Sequence, residues 1–520
     1  MTTRELYREE LKRKLTALLL WTLLFSFVYT SFKFSKVDFA GLVSGFSASY
    51  QIIKEMLPPD FSGFWGYLLL SLETVAIGVF GTALGLILSF PISLLASRNL
   101  NPTPTYYLAR FLVNFFRSIP EVLYALLFVL SMGIGPNAGA FALMFSTVGI
   151  LSKFFSEAIE SVDKEQVKAL RSTGSSFLGV VRYGVLPQVL PLFWGYTLYL
   201  LDHNIRVAMV LGVVGAGGLG VELMSQMRSF NYQKVVTILI LIFAIISFID
   251  WICTRLSDRV IKGSFGKGLG GSVDYALVSG LFVGAPLAAV FLTPISPAEA
   301  FMGFLKIGDL IKPMLEPNFS GIKKDLLLVL ETIAIAFAGT FIAVVASIPL
   351  GFLSARNVVG FAPLSRFFRE FSNFLRAMPE LIFAIILMAA VGPGPFAGVL
   401  AIALHTTGLL GKFYAEAIEN VNQGVVNAVR ATGSGFLNVL RYGFFPQILP
   451  LFNSYNLYLI DRNVRAATIM GVVGAGGIGF ELVMSIKMFD MERTAALIVY
   501  ILMAIAVVDY VSSYIRKKIV

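Results

Sequence analysis

Residues 72–82 read Leu-Glu-Thr-Val-Ala-Ile-Gly-Val-Phe-Gly-Thr, and residues 330–340 read Leu-Glu-Thr-Ile-Ala-Ile-Ala-Phe-Ala-Gly-Thr. Each stretch lies inside an apolar run long enough to cross a membrane, because a spanning helix needs about 20 apolar residues. The two stretches are about 258 residues apart in a chain of 520 residues. They indicate that one helical membrane domain occurs twice.

Further matched segments keep the same order along the chain, with one residue inserted part-way. The matched pairs are 61–63 with 319–321, 96–99 with 354–357, 117–121 with 376–380, and 215–220 with 474–479. So many landmarks in register indicate duplication and fusion of one domain. We predict a first domain at 1–257, a flexible glycine-rich linker at 258–271 and a second domain at 272–520.

The composition excludes an ordinary soluble protein. Charged residues make up 14% of the chain, against about 25% in soluble domains. The net charge of +10 comes from basic residues in short loops, a distribution that fits membrane topology better than nucleic-acid binding. A lone cysteine, Cys253, and two histidines far apart in sequence, His203 and His405, argue against a metal site.

The apolar runs predict an all-α membrane protein with about twelve transmembrane helices, six in each copy. In the first copy the predicted spans are 15–32, 67–95, 122–134, 138–158, 189–210 and 235–253. In the second copy they are 275–292, 326–353, 381–391, 397–418, 448–470 and 495–514. Because six is even, the copies are parallel repeats related by a pseudo-two-fold axis along the membrane normal. The basic loops then lie on the side of both termini, which we predict to be cytoplasmic.

The loop between the fourth and fifth spans of each copy carries a pattern of its own. In the first copy, Ser161–Pro187 predicts two short helices separated by Gly174, with Ser175 or Ser176 capping the second. This pattern resembles the EAA loop of bacterial ABC importer permeases, although Lys168 and Asn427 replace the leading glutamate. In that family the loop is a coupling helix that docks into the ATPase subunit. The resemblance assigns this role to Ala169, Arg171, Gly174, Ala428, Arg430 and Gly433.

The whole chain resembles the phosphonate permease group of that family (PhnE-like). The motifs that carry the resemblance are Arg-Ser-Ile-Pro-Glu at 117–121, Gly-Lys-x-x-x-Glu-Ala-Ile-Glu at 411–419, and Asn-x-Arg followed by a glycine-rich run at 204–218 and 463–477. The resemblance implies a bacterial inner-membrane permease that works with two ATPase copies and a periplasmic binding protein. ATP and Mg would be bound by those ATPase subunits, and this chain would hold no cofactor or metal.

The runs at 215–220 and 474–479 both satisfy G-x-G-x-x-G. A dinucleotide site needs a strand before this motif and a soluble βαβ unit around it, and both are missing from this pattern. The glycines instead follow a membrane helix, where they predict a helix break that serves as a gate or allows close packing. The candidate gate residues are Gly215, Gly217, Gly218, Gly474, Gly476 and Gly477.

Charged residues inside the fifth span of each copy are candidates for a substrate path, because ionisable groups in a membrane usually serve function. The candidates are Asp202, Asn204, Arg206, Asp461, Asn463 and Arg465, together with Thr147, His405 and Thr406. Arginine forks suit phosphate-like oxyanions. Two alternatives remain: each arginine pairs with the aspartate four residues earlier, or its side chain extends to the outer interface. Glu73 and Glu331 are further possible partners of the arginines.

These inferences predict a non-enzymatic permease that imports phosphonate, phosphite or hypophosphite by ATP-driven alternating access. The alternatives are an ABC permease for another solute, such as an amino acid, and a secondary transporter driven by an ion gradient.

Overall fold

The computed structural model describes residues 26, 28–36, 54–261, 280, 284 and 297–519. Three predicted segments lie largely outside these residues: the span at 15–32, the span at 275–292 and the linker at 258–271.

The first copy is a succession of helices. They are α1 (Phe64–Leu95), α2 (Thr103–Ser118), α3 (Glu121–Met132), α4 (Pro136–Glu160), α5 (Lys164–Ser172), α6 (Leu186–Val213), α7 (Leu219–Arg228) and α8 (Tyr232–Ile261). A short helix at Phe177–Val180 and a π-helical turn at Val181–Val185 lead into α6.

The second copy repeats this order. Its helices are α9 (Pro297–Met314), α10 (Ile322–Ser354), α11 (Ala362–Ala377), α12 (Glu380–Val391), α13 (Pro395–Glu419), α14 (Gln423–Ala431), α15 (Phe445–Met470), α16 (Ile478–Lys487) and α17 (Met491–Ile519). Within the described ranges, seven helices are long and apolar enough to cross a membrane, or up to ten if each bent pair counts as one span. The predicted all-α membrane fold with two tandem domains is confirmed.

A helix that the sequence did not predict precedes the third span of each copy. The segment before that span forms α2 or α11, and these helices bend by 84° into α3 and by 89° into α12. The bends fall at Pro120 and Pro379, where proline cannot continue the preceding helix. On α2, Tyr107, Phe111 and Phe115 recur every four residues and are exposed. Such an aromatic stripe is typical of a helix that lies along a membrane surface.

Internal contacts divide the chain into two compact units. The first unit is Ile52–Leu315, and the second is Glu316–Val520 with Met1–Gln51. In the second unit, Phe32 packs edge-on against Phe341 of α10, with ring centroids 6.2 Å apart. In the first unit, α9 packs against α3. Each unit therefore combines the core of one copy with the N-terminal part of the other copy.

The core of the first unit is formed where α1, α4 and α6 pack together. Glycines on α1 allow this close approach, since a Cβ on Gly78 would lie 2.6 Å from Ile205 and one on Gly81 2.7 Å from Leu143. At the centre, the buried Asn204 amide donates to the Thr82 hydroxyl over 2.8 Å and to the Thr147 hydroxyl over 2.7 Å. One side chain thus joins all three helices.

The second unit has the same polar node on α10, α13 and α15. Asn463 donates to Thr340 over 2.8 Å and to Thr406 over 3.0 Å. Because polar groups in a membrane must be satisfied by protein, the nodes fix the rotation of α6 and α15 about their axes.

We expect Gly220→Ala and Gly479→Ala to destabilise the protein. An added Cβ would overlap the carbonyl oxygen of Met209 in the first unit and of Thr468 in the second. Overpacking of this kind costs about 1–3 kcal/mol, so each variant should unfold in detergent at a temperature several degrees lower. Gly195→Ala is the control, because no atom lies within 4 Å of a Cβ built there. Equal melting temperatures for Gly220→Ala and Gly195→Ala would contradict this packing.

Candidate functional site

The loop after α4 forms the two short helices that the sequence predicts. Helix α5 begins at Asp163, whose side chain accepts from the Glu165 amide over 2.9 Å, and it ends before Gly174, which has a φ of 78°. The Ser176 side chain caps the next helix by accepting from the Gly179 amide over 3.3 Å. Capping at both ends lets so short a helix keep its shape in contact with water.

Helix α5 presents two different faces. Val167 is buried in an apolar cluster, and Leu170 packs partly buried against it. On the outer face, Lys168 donates to Glu165 over 2.8 Å, and this hydrogen bond raises the pKa of Lys168. The residues with a predicted coupling role, Ala169, Arg171 and Gly174, are all exposed.

Helix α14 of the second unit has the same construction. The Asn422 side chain caps it by accepting from the Gly424 amide over 2.9 Å, Val426 is buried, and Gly433 has a φ of 74°. Ala428 and Arg430 are exposed, as Gly433 is. Each unit therefore presents a short, capped helix with an exposed outer face.

A carboxylate at the end of α4 ties the segment before α5 to the α1–α2 loop and to α2. Glu160, the last residue of α4, accepts from the Arg98 backbone amide over 2.9 Å and pairs with Arg110 of α2 over 3.0 Å. The Asn99 amide donates to the Ile159 carbonyl over 2.7 Å, and Arg171 of α5 donates to the Asn99 carbonyl over 3.1 Å. We call these contacts the Glu160 latch.

The second unit contains an equivalent latch. Glu419 accepts from the Arg356 amide over 2.9 Å and pairs with Arg369 of α11, and Asn357 donates to the Ile418 carbonyl over 2.7 Å. The latch explains why the Arg-Asn pairs at 98–99 and 356–357 recur in both copies. Sequence reasoning used them only as landmarks of the repeat.

The glycine-rich run after α6 turns back into its own unit. The Gly218 amide donates to the Glu73 carboxylate over 3.0 Å, and the Leu219 amide donates to the Thr74 hydroxyl over 2.8 Å. A Cβ on Gly217 would lie 2.7 Å from Pro136. Gly215, Gly217 and Gly218 have φ between 72° and 97°, in the left-handed region that favours glycine.

The equivalent run of the second unit has the same geometry. Gly474, Gly476 and Gly477 have φ between 73° and 100°, and the Ile478 amide donates to the Thr332 hydroxyl over 2.9 Å. Close packing and positive φ values explain why glycine occupies these positions. A gating role for the glycine-rich runs stays a prediction. The Glu73 carboxylate, a possible partner of the arginines, accepts from this glycine-rich run in the first unit.

The two predicted path arginines form ion pairs inside their own units. Arg206 pairs with Asp202, four residues earlier, and with Asp250 of α8 over 3.2 Å. Arg465 likewise pairs with Asp461. The internal pair, one of the alternatives left open by the sequence, is therefore present in both units, and substrate contact by either arginine stays a prediction.

Four other predicted path residues belong to the polar nodes. Asn204 and Thr147 bond to each other in the first unit, as Asn463 and Thr406 do in the second, and all four are buried. Their contacts hold helices together. Substrate contact by these four residues likewise stays a prediction.

A histidine and a carboxylate meet where α3 begins. Glu121, the first residue of α3, accepts from the Ser146 hydroxyl of α4 over 3.2 Å and lies 3.7 Å from Nε2 of His203 on α6. The structure adds a basic partner about 80 residues away in the chain.

The second unit has a more basic version of this cluster. Glu380 lies 3.3 Å from the Arg462 guanidinium and 3.5 Å from Nε2 of His405. The His405 ring bonds to the Met378 carbonyl over 2.8 Å through Nδ1 and to Arg462 over 3.2 Å through Nε2. His405 is thus held within the bundle, and its contact with a substrate stays a prediction.

Comparison with known proteins decides the family. The family of binding-protein-dependent transport system inner membrane components matches the chain twice, over residues 81–262 and 347–520. This chain belongs to that family. It is therefore a multi-pass ABC importer permease with two permease domains in one polypeptide, as the resemblance had implied.

Several relatives share this permease architecture over long stretches. The phosphate-import permease protein PhnE of Mycolicibacterium smegmatis is 34% identical over 93% of this chain and 92% of its own length. The phosphite transport system permease protein PtxC of Stutzerimonas stutzeri is 39% identical over 48% of this chain and 92% of its own length. Among solved structures, the MetNI methionine ABC transporter in an inward-facing conformation matches 38% of this chain and 96% of the solved chain, with 20% identity and a TM-score of 0.35.

We expect Glu160→Gln to loosen the latch of the first permease domain. Losing the charge weakens hydrogen bonds that contribute about 1.5–3 kcal/mol each when a charged group takes part. Amide hydrogen exchange at residues 98–101 should become about ten-fold faster or more. The matched control is Glu157→Gln on the same helix, because Glu157 contacts Lys153 at 3.8 Å near the surface. Identical exchange in the two variants would contradict the latch.

Proposed function

We propose that this chain is the complete permease of an ABC importer for a small phosphorus oxyanion. The sequence favours phosphonate, phosphite or hypophosphite. The names of the relatives concern phosphate import and phosphite transport, and those substrates are oxyanions of the same class. We therefore add phosphate to the candidate substrates.

The observation that carries this proposal is the pair of exposed coupling helices, α5 and α14. Each is capped at its start and held to its unit by a buried valine. Each also lies next to a latch that continues into the membrane-embedded helices. An ion-gradient transporter has no need of two such helices, whereas a pair of ATPase subunits needs two docking points.

The proposed cycle uses separate partners for energy and capture. Two ATPase copies bind ATP and Mg and dock on α5 and α14, and a periplasmic binding protein delivers the anion. ATP-driven closure of the ATPase pair moves the coupling helices and opens the permease outward. The termini lie in the cytoplasm of the bacterial host, and this chain itself makes and breaks no covalent bond.

Transport by cells tests the substrate class directly. A host without its own oxyanion importers should, on expressing this chain with its ATPase and binding protein, take up labelled phosphite or phosphonate. Uptake should stop when the ATPase is disabled. Competition by unlabelled oxyanion but not by methionine is the expected result. Methionine uptake alone would remove the oxyanion assignment, and uptake that persists under a proton gradient without ATPase would remove the ABC mechanism.

We expect Ala169→Trp and Ala428→Trp together to release the ATPase. Both alanines are exposed on coupling helices, so the larger side chains obstruct docking and leave the fold intact. Co-purified ATPase should fall about ten-fold or more relative to the permease, while the melting temperature of the isolated chain stays unchanged. Thr103→Trp, at an exposed position on α2, is the control. Full ATPase recovery with the double variant would argue against docking at these helices.

A further inference from the structure

We propose that His203 and Arg462 are oxyanion-contacting residues of the two permease domains, with Arg462 the stronger of the two. This assignment rests on the proposed function and names residues for it. It differs from the sequence prediction, which placed the anion on Arg206 and Arg465.

The first support is depth. His203 and Arg462 occupy equivalent positions on α6 and α15, and each directly precedes the asparagine of a polar node. In the first unit that asparagine bonds to Thr82. At 1.5 Å per residue, Thr82 lies about 27 Å from the start of α1 and about 20 Å from its end. The two basic side chains therefore lie deep within the helical bundle.

The second support is exposure at that depth. The side chains of His203 and Arg462 are 37% and 30% exposed, although the neighbouring Asn204 and Asn463 are 1% exposed. Ionisable side chains inside a membrane face the bundle interior or a water-filled cavity and avoid lipid. Exposed basic groups at this depth therefore point to a route for a charged solute.

The third support is charge. The Arg462 cluster sets one carboxylate, Glu380, against a guanidinium and an imidazole, whereas Arg206 faces two aspartates. In the first unit the basic group beside Glu121 is the His203 imidazole, and an imidazole is charged only when it is protonated. A guanidinium is always charged and presents a fork of donors that matches an oxyanion, so Arg462 is the stronger contact of the two.

The fourth support is the connection to the coupling helices. Glu121 and Glu380 directly follow the bends at Pro120 and Pro379, where α2 and α11 end. Those two helices are held by the Glu160 latch and its equivalent at Glu419. Movement of a coupling helix therefore reaches the carboxylate that contacts the basic residue. The strength with which the basic residue holds the anion can then change during the ATPase cycle, because the carboxylate beside it moves.

The test compares neutral variants in the complete transporter. For Arg462→Gln we expect the oxyanion concentration that gives half-maximal uptake to rise about ten-fold or more, as the loss of one charge-assisted contact predicts. For His203→Gln the rise should be smaller, and His203→Arg should lower the half-saturating concentration. The amount of assembled complex should not change. Arg366→Gln, on the exposed side of α11, is the control.

The double variant Glu380→Gln/Arg462→Gln distinguishes an oxyanion contact from an ion pair that only stabilises the fold. It removes both charges of the pair, so a purely structural ion pair would leave uptake near normal, whereas an oxyanion contact would leave it as weak as in Arg462→Gln. Unchanged half-saturation in Arg462→Gln, or normal uptake by the double variant, would overturn this inference. Failure of the proposed function would appear differently, as absence of oxyanion uptake by the unmodified chain.

Discussion

Much of this permease depends on one hydrogen-bonded side chain in each domain. Asn204 donates to threonines of α1 and α4, and Asn463 does the same in the second unit. Without water nearby, these donors have to be satisfied by protein. Because the node fixes the rotation of α6, residue 203 is directed toward α3 and residue 206 toward α8. The node therefore places the basic groups of residues 203 and 206 in two separate clusters, beside Glu121 and beside Asp250.

The first unit contains a continuous series of contacts from α5 to α3. Helix α5 touches the α1–α2 loop through Arg171, and Glu160 ties that loop to the end of α4 and pairs with Arg110 of α2. Helix α2 then bends into α3, whose first residue is Glu121. Each step is a hydrogen bond, an ion pair or a helix, so a displacement of α5 has a direct route to Glu121.

The sequence predicted the features that depend on local pattern or on repetition. The duplicated domains, the membrane helices and the caps at Gly174 and Ser176 are of this kind. It missed α2, because this amphipathic helix lies between the second and third predicted spans and is not an apolar run long enough to cross a membrane. It also missed the clusters at Glu121 and Glu380, whose members are 25 to 82 residues apart. The differences Ser146 against His405 and His203 against Arg462 were visible in the sequence, but only the fold shows that they meet at one carboxylate.

Fusion of the two domains allows such differences to persist, because each copy evolves separately while both stay in one transporter. The central claim is that a single chain supplies both halves of the permease. Native mass spectrometry of the complex purified with its ATPase tests this claim directly. The account predicts one copy of this chain with two ATPase subunits. A complex with two copies of this chain and two ATPase subunits would contradict it.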